Sequence, residues 1–463
     1  MHGDKASFQR FDLPIKQIFD SALKKIKISA YPDLIKGVRG TINKAHVVEH
    51  LAKGILRAQH SVYVNKDGTT RYDMTELPIT HFKPKEIGTS LERLRELGYT
   101  HDVFGAELHD VDQVLEIKPQ DIILPSNENS LDESSKKALY NISKFLDDLL
   151  EKFYGLPSYY NLTSDVDLVG HIVVGLAPHI SAGLIGRIIG FSDTQGCLAH
   201  PFWHAGLRRD CDGDECCVML LLDALLNFSR QYLPDTRGAK TMDSPLVLTS
   251  RLIPSEVDDQ AHGLDVGWRY PLQLYEAALQ FKSAGEVKID QVKQRLNTER
   301  QYEQFGFTHP VQNLNAGVKC SAYKTIPTMD GKLQGQIELA IKIRAVDTED
   351  VARLVIERHF LKDIKGNLRQ FSTQQFRCVN CSEKFRRPPL AGCCTACKGK
   401  LLFTVTEGSV VKYLEPSITL ARTFNLPAYI IQSLEITKRR IQGVFGKEKE
   451  KQSGLQSWVS SSS

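Results

Sequence analysis

Two Cys-x-x-Cys pairs, Cys378/Cys381 and Cys394/Cys397, stand 12 residues apart. No feature of the chain constrains its folding more tightly, because two tight turns must face one another for four thiolates to converge as a tetrahedral Zn²⁺ donor set. Only Cys394 makes such a turn with Cys397, which leaves Cys393 a spare thiol. Four sulfurs leave no open coordination position, so the expected Zn²⁺ is structural. A redox Cys-x-x-Cys is the competing reading, but no thioredoxin-like βαβ pattern adjoins it. Ten cysteines in 463 residues are too few for a disulfide scaffold. Around the cluster, Arg377, Lys384, Arg386, Arg387, Lys398 and Lys400 against Glu383 make a local charge of +5, in a chain whose formal net charge is only +4. Any contact with nucleic acid must therefore rest on local patches.

The second constraint is the string HAGLRRDCDGDE, which puts Asp210, Asp212 and Asp214 at alternate positions with Gly213 easing a tight turn. Three carboxylates crowded into one volume repel one another unless cations neutralise them, and oxygen-only donors suit hard Mg²⁺ or Mn²⁺. An EF-hand is excluded, since the sixth loop position would be Glu215 and the twelfth Leu221. A solvated acidic turn capping the next helix is the simpler reading. Against it, Arg208 and Arg209 directly precede the acids and His204 lies six residues before Asp210, so groups able to bind phosphates adjoin groups able to bind metal, as two-metal phosphoryl transfer requires.

Local patterning divides the chain further. Residues 1–60 read as short helices, and the alternation in SVYVNKDGTTRYDM around Asp67-Gly68 predicts a hairpin over 61–77. A capped helix is expected over 89–97, a polar linker over 125–136, and a helix over 138–153. The most apolar stretch, 166–191, is broken by His171, Pro178, His179 and Arg187, so it reads as turn-rich β structure rather than a membrane span. Cys217, Leu220, Leu221, Ala224, Leu225 and Phe228 suggest one helical stripe, and Asp347-Thr348-Glu349-Asp350 a capped helix start. A terminal helix is expected over 428–445, with Ile431, Leu434, Ile441 and Phe445 on one side. No signal-type apolar core opens the sequence, and Asp4 and Asp12 argue against a mitochondrial-type leader. The expected setting is the cytoplasm, with no membrane partner.

The tail segment Gln452-Ser-Gly-Leu455-Gln-Ser-Trp458-Val459 has the Q-x-x-aliphatic-x-x-aromatic-x spacing of a sliding-clamp peptide. One helical turn would present Leu455, Trp458 and Val459 to an apolar pocket and Gln452 to a polar one.

The long segment from HIVVGLAPHISAGLIGRIIGFSDTQGCLAHPFWHAGLRRDCDGDE through SPLVLTSRLIPSEVDDQAH closely resembles the large, catalytic subunit of archaeal family D DNA polymerase. The resemblance extends upstream through VYVNKDGTTRYDMTELPITHFKPKEIG and LRELGYTHDVFG, and downstream through SAYKTIPTMDGKL, IRAVDTEDVA and FRCVNCSEKFRRPPL. It implies an α+β chain: a double-psi β-barrel catalytic domain with flanking helical regions, a four-cysteine zinc module and a C-terminal helical region. On this reading residues 1–125 are a mixed α/β region, 126–157 a linker and helix, and 158–275 the barrel. Residues 276–375 are mainly helical, 376–404 form the zinc module, 405–448 are helices docking a second subunit, and 449–463 are a disordered tail.

The resemblance also implies DNA-directed synthesis by two metals, with Asp212 and Asp214 as ligands. Asp210 stands where the family usually has Asn. The implied partners are primer-template DNA and dNTPs, the N-terminal part of the large subunit carrying the other barrel, the small proofreading exonuclease subunit and the sliding clamp. Because the family's large subunit is well over twice this length, the chain is expected to be a fragment or one product of a split subunit, inactive alone. A non-catalytic zinc-stabilised scaffold joining small subunit and clamp is the alternative. A divergent RNA polymerase subunit is a third reading, resting on DxDGD alone.

Overall fold

The apolar, glycine-punctuated run after residue 165 has to bury both of its faces, and it does so in a mixed sheet. In a computed structural model, the described residues are 12, 14–30, 32–35, 49–65, 67–131, 133–177, 180, 182–210, 213–228, 236–237, 240–241, 246–309, 313–316, 319, 325–402 and 405–445. The chain divides into two compact units, Met1–Cys320 and Ser321–Ser463.

In the first unit the strands are β1 Tyr72–Pro78, β2 His81–Phe82, β3 Leu115–Glu116, β4 Asp121–Pro125, β5 Ile172–Leu176, β6 Ala182–Ser192, β7 Gly196–Ala199, β8 Glu215–Leu220, the ladder of β9 Thr236–Arg237 with β10 Lys240–Thr241, and β11 Val247–Thr249. The main sheet runs β11-β6-β4-β7-β1-β8-β5, and β5 pairs back onto β6, so six strands follow one another in a ring. The 11-residue length of β6 allows this: Leu184 to Arg187 pair antiparallel with β5, while Arg187 to Ser192 pair parallel with β4. Two pairs in the ring are parallel (β4 with β6, β1 with β7), and the other four are antiparallel. Glycines in these strands make room for one side chain. A Cβ at Gly175 would lie 2.4 Å from the Trp203 ring and one at Gly186 3.0 Å from it, so the helix Pro201–Gly206 packs directly on β5 and β6.

Several local expectations stand. Ser90 caps the helix Leu91–Glu96 through the Arg93 N–H, and Asp347 caps Thr348–Leu354 through the Glu349 and Asp350 amides. The terminal helix spans Ala428–Phe445 and buries Leu434 and Ile441. No helix among the described residues is long and apolar enough to cross a membrane.

Others differ. No strand forms over the described part of 61–70. Gly68 is instead left-handed (φ +88°), and a Cβ there would come 2.6 Å from the Asn227 carbonyl. The turn is held by tertiary partners: the Thr70 amide and hydroxyl donate to Asp223, and Arg57 donates to the Gly68 carbonyl. Cys217 and Leu220 lie on β8, and the helix starts only at Leu221. An apolar run without polar interruptions has no readable period. The sheet also draws β1 and β4 from the region set apart as 1–125, crosses the linker assigned to 126–157, and the unit extends beyond 275 to Cys320. Pairing between strands so distant in sequence leaves no local trace.

In the second unit the helix Met329–Lys342 packs with Thr348–Leu354, which continues through a π-helical turn, Val355–Phe360, into Leu361–Thr373. β12 Phe376–Cys378, β13 Lys384–Phe385 and β14 Leu401–Leu402 form a three-stranded sheet with β12 central. The helices Glu407–Val411, Leu414–Thr423 and Ala428–Phe445 complete the core around Ile356, Ile364, Val410, Ile418 and Leu434.

A pH dependence follows from the first unit. Burial pushes His200 down to about 3 and His81 to about 4, while burial pushes Glu116 up to about 7. Between about pH 6.5 and 4.5 the unfolded chain takes up two protons on these histidines that the folded chain refuses, and the folded chain holds one on Glu116 that the unfolded chain releases. From these three groups the net is one proton, which contributes a loss of stability of about 1.4 kcal/mol per unit as pH drops through that window. Denaturant titrations at pH 7 and 5 measure it, and His200→Gln should flatten the slope.

Candidate functional site

The acidic string joins the helix Pro201–Gly206 to β8. His200 Nδ1 accepts the Phe202 N–H at 3.1 Å and so caps the helix, which requires the unprotonated imidazole that burial favours. At the other end the helix goes no further than Leu207: Arg208 is left-handed (φ +61°), and the Arg209 N–H returns to the His204 carbonyl at 3.3 Å. Glycine ordinarily takes that left-handed position after a helix, and a side chain there costs about 1 kcal/mol.

Beyond Arg209 the chain crosses to β8, which pairs antiparallel with β1, Thr75 opposite Glu215 and Met74 opposite Cys216. The Glu76 N–H donates to the Asp214 carbonyl at 3.0 Å, extending that ladder into the acidic loop. Asp210 is exposed and Asp214 half-exposed, and Arg209 Nη1 lies 3.4 Å from Asp214 Oδ2. Arg208 is exposed. Asp212 lies outside the described residues, as do Gln452, Leu455, Trp458 and Val459.

His204 departs from its expected place beside phosphates: it is fully buried, its Nδ1 3.2 Å from Oε2 of an equally buried Glu76. Two further carboxylates on β1 escaped the sequence reading. Glu76 shares the inward face of β1 with Met74, and Asp73 sits on the outward face, its carboxyl raised by partial burial and by the nearby Glu215. The signal for Glu76 is present in the alternation of YDMTELP, which aims an acid at a core position.

Such an arrangement, with exposed oxygen donors and an exposed guanidinium on one loop, can neutralise and orient phosphates when hard divalent ions join it. Among the described residues the one group of three or more close metal-type donors is elsewhere, at Cys378, Cys381, Cys394 and Cys397, whose ligand atoms all lie within 4.8 Å of one another. Ser382 and Lys398, directly after the second cysteine of the first pair and after Cys397, are left-handed (φ +61° and +57°), which folds each pair back on itself. The Ser382 N–H returns to the Cys378 carbonyl and the Lys398 N–H to the Cys394 carbonyl. A Cβ at Gly399 would come 2.8 Å from Cys378 Sγ, so only glycine leaves that sulfur its room.

The Cys381 and Asn380 amides hold the Cys378 thiol down to about 6. Cys381 is pushed up to about 12, because the Cys397 and Cys394 sulfurs outweigh the Glu383 amide. Thiols that resist joint ionisation are a donor set a dication relieves, and the four can bind a metal such as zinc. Cys393 stands outside the cluster.

The fold and its sites define an α/β protein with an acidic loop set on its mixed sheet and a separate four-cysteine cluster that can bind a metal. Residues 28–332 match the family model described as DNA polymerase II large subunit DP2, catalytic domain. The chain is 50% identical over 446 residues to the DNA polymerase II large subunit of Methanocella arvoryzae, covering 96% of this chain and 39% of that one. It is 49% identical over 454 residues to that of Archaeoglobus fulgidus (98% and 39%) and 48% identical over 440 residues to that of Pyrococcus furiosus (95% and 34%). The chain belongs to the archaeal family D DNA polymerase large-subunit family, and it spans under two fifths of the length of these relatives.

Proposed function

We propose that this chain supplies the acidic half of the active site of a DNA-directed DNA polymerase, which joins dNTPs to a primer 3′ end. One observation carries the reading: within the family match, the loop 207–214 is anchored at both ends, by the capped helix Pro201–Gly206 and by the Glu76–Asp214 backbone bond, with Asp210, Asp214 and Arg208 left facing outward. The six-stranded ring of parallel and antiparallel pairs supports a double-psi barrel.

In this reading Asp212 and Asp214, helped by Asp210, hold Mg²⁺ or Mn²⁺. Bound there, such ions would supply activation of an attacking oxygen and neutralisation of a leaving pyrophosphate. Of this chain's own groups, Arg208 is free to meet phosphates, Arg209 divides its charge with Asp214, and His204 acts from within the core. The second barrel and its basic residues come from the N-terminal part of the large subunit, in keeping with the fraction of the relatives covered here. A cytoplasmic, nucleoid-associated setting goes with this reading. Primer extension by the reconstituted polymerase, with Asp212 and Asp214 each replaced, tests it.

The four-cysteine module holds structural Zn²⁺ and, with the helices behind it, docks the small exonuclease subunit. All six of its basic side chains are exposed, and Arg377 directly opposes Lys384 across β12 and β13. Like charges so placed are destabilising, and an anionic partner surface would relieve them. The tail peptide at Gln452, Leu455, Trp458 and Val459 binds the sliding clamp. Trp458→Ala should weaken clamp affinity at least ~10-fold by calorimetry, the effect of losing a buried aromatic anchor. Unchanged affinity would exclude the clamp as a partner of this peptide.

A further inference from the structure

The acidic loop is a bridge with two abutments, and one residue touches both. Glu76 donates its backbone N–H to the Asp214 carbonyl, at the β8 end, at 3.0 Å. Its side-chain Oε2 lies 3.2 Å from Nδ1 of His204, on the helix from which the loop departs. Both side chains are fully buried, and neither has a hydrogen-bond partner elsewhere among the described residues. The two groups approach closely without the alignment of a hydrogen bond. Between the abutments, Arg209 reaches across to Asp214 at 3.4 Å.

Stability alone does not account for a carboxylate in this position. A buried acid with a single imidazole partner breaks even at best against an apolar residue of similar volume, and β1 elsewhere turns Met74 inward. What an apolar residue cannot do is link the helix and the strand through a polar contact. Burial also bars the pair from substrate, so any effect on chemistry passes through the loop.

We infer that Glu76, set against His204, is a positioning residue that holds the two described ends of the acidic loop, 207–210 and 213–214, and so sets the presentation of Asp210 and Asp214. The inference rests on reading that loop as the metal-holding site, and two separate measurements keep the two ideas apart.

The first uses the full chain without added metal: hydrogen exchange of amides in 207–214 and of the Glu76 amide. Glu76→Gln, which keeps shape but replaces a carboxyl oxygen with an amide nitrogen, and His204→Phe, which keeps a ring but loses Nδ1, should each raise exchange there at least ~10-fold. Strands β5 and β6 should exchange as in the wild type. The double variant should be no worse than either single one, because a pair acting as one unit is non-additive. The second measurement, on the reconstituted polymerase, is the Mg²⁺ concentration for half-maximal extension, which should rise ~10-fold or more in both variants while dNTP KM stays within about twofold. Wild-type exchange in the loop, exchange raised equally in β5 and β6, additive single effects, or an unmoved Mg²⁺ requirement would each overturn the inference. Full activity of Asp214→Ala would instead overturn the reading of the loop and leave the exchange result intact.

Discussion

Asp214→Ala is expected to lower primer extension by the reconstituted polymerase on the order of 10³-fold, about 4 kcal/mol of transition-state stabilisation. Asp212→Ala should do the same. The size follows from what a carboxylate contributes when it holds a cation against developing phosphate charge: its loss affects the transition state more than ground-state binding. The deficit should therefore appear in kcat, with dNTP KM changed much less. The fold should survive, because Asp214 is half-exposed and the ladder contact to Glu76 uses its backbone carbonyl, which alanine retains. Asp210→Asn, which restores the residue usual at that position in the family, should cost far less than either. If Asp214→Ala extends primers at the wild-type rate, the chain is a zinc-stabilised scaffold and its acidic loop a folded turn.

The second large effect belongs to the cysteine module. Cys381→Ser should take bound Zn²⁺ from one per chain to none and unfold 376–402. The core available to the module without a metal is small: Cys378, Cys394 and Leu401, with Phe385 packed against them. Three short strands with so little apolar contact do not hold together unaided, whereas structural Zn²⁺ contributes about 10–16 kcal/mol of apparent binding energy. The amides of Cys378 and Cys394, which donate to the Glu383 and Gly399 carbonyls, report the outcome through hydrogen exchange. Cys393→Ser serves as the control and should keep its zinc. Zinc retained by Cys381→Ser, or lost by Cys393→Ser, would mean that the donor set has been misassigned.

These two sites differ in how far the linear sequence reveals them, for a physical reason. A pair of Cys-x-x-Cys turns encodes its own geometry, because each turn is closed by hydrogen bonds between residues four apart, as Lys398 to Cys394 shows. The helix caps at Ser90 and Asp347 are readable on the same ground, since a cap is a contact between near neighbours. The carboxylate string announces its chemistry equally well, as three acids within five residues. Its surroundings are not readable. Glu76 meets the loop only because β1 lies between β7 and β8, and nothing within residues 61–77 points to residue 214. The same kind of tertiary contact turns the Asp67-Gly68 segment from a hairpin into a buried turn against Asn227.

The residues by themselves determined the donor types this protein offers, carboxylate oxygens at 210–214 and thiols at 378–397, and the family to which it belongs. Tertiary structure alone decided which groups stand around the acids. It closed distant strands into a ring, took His204 out of reach of phosphate, and set it against Glu76 in the core. Donor type is a property of side chains and spacing. Burial and pairing between strands are properties of the whole packed unit, since a hydrogen bond between β1 and the acidic loop spans more than a hundred residues of chain and exists only once everything between them has folded.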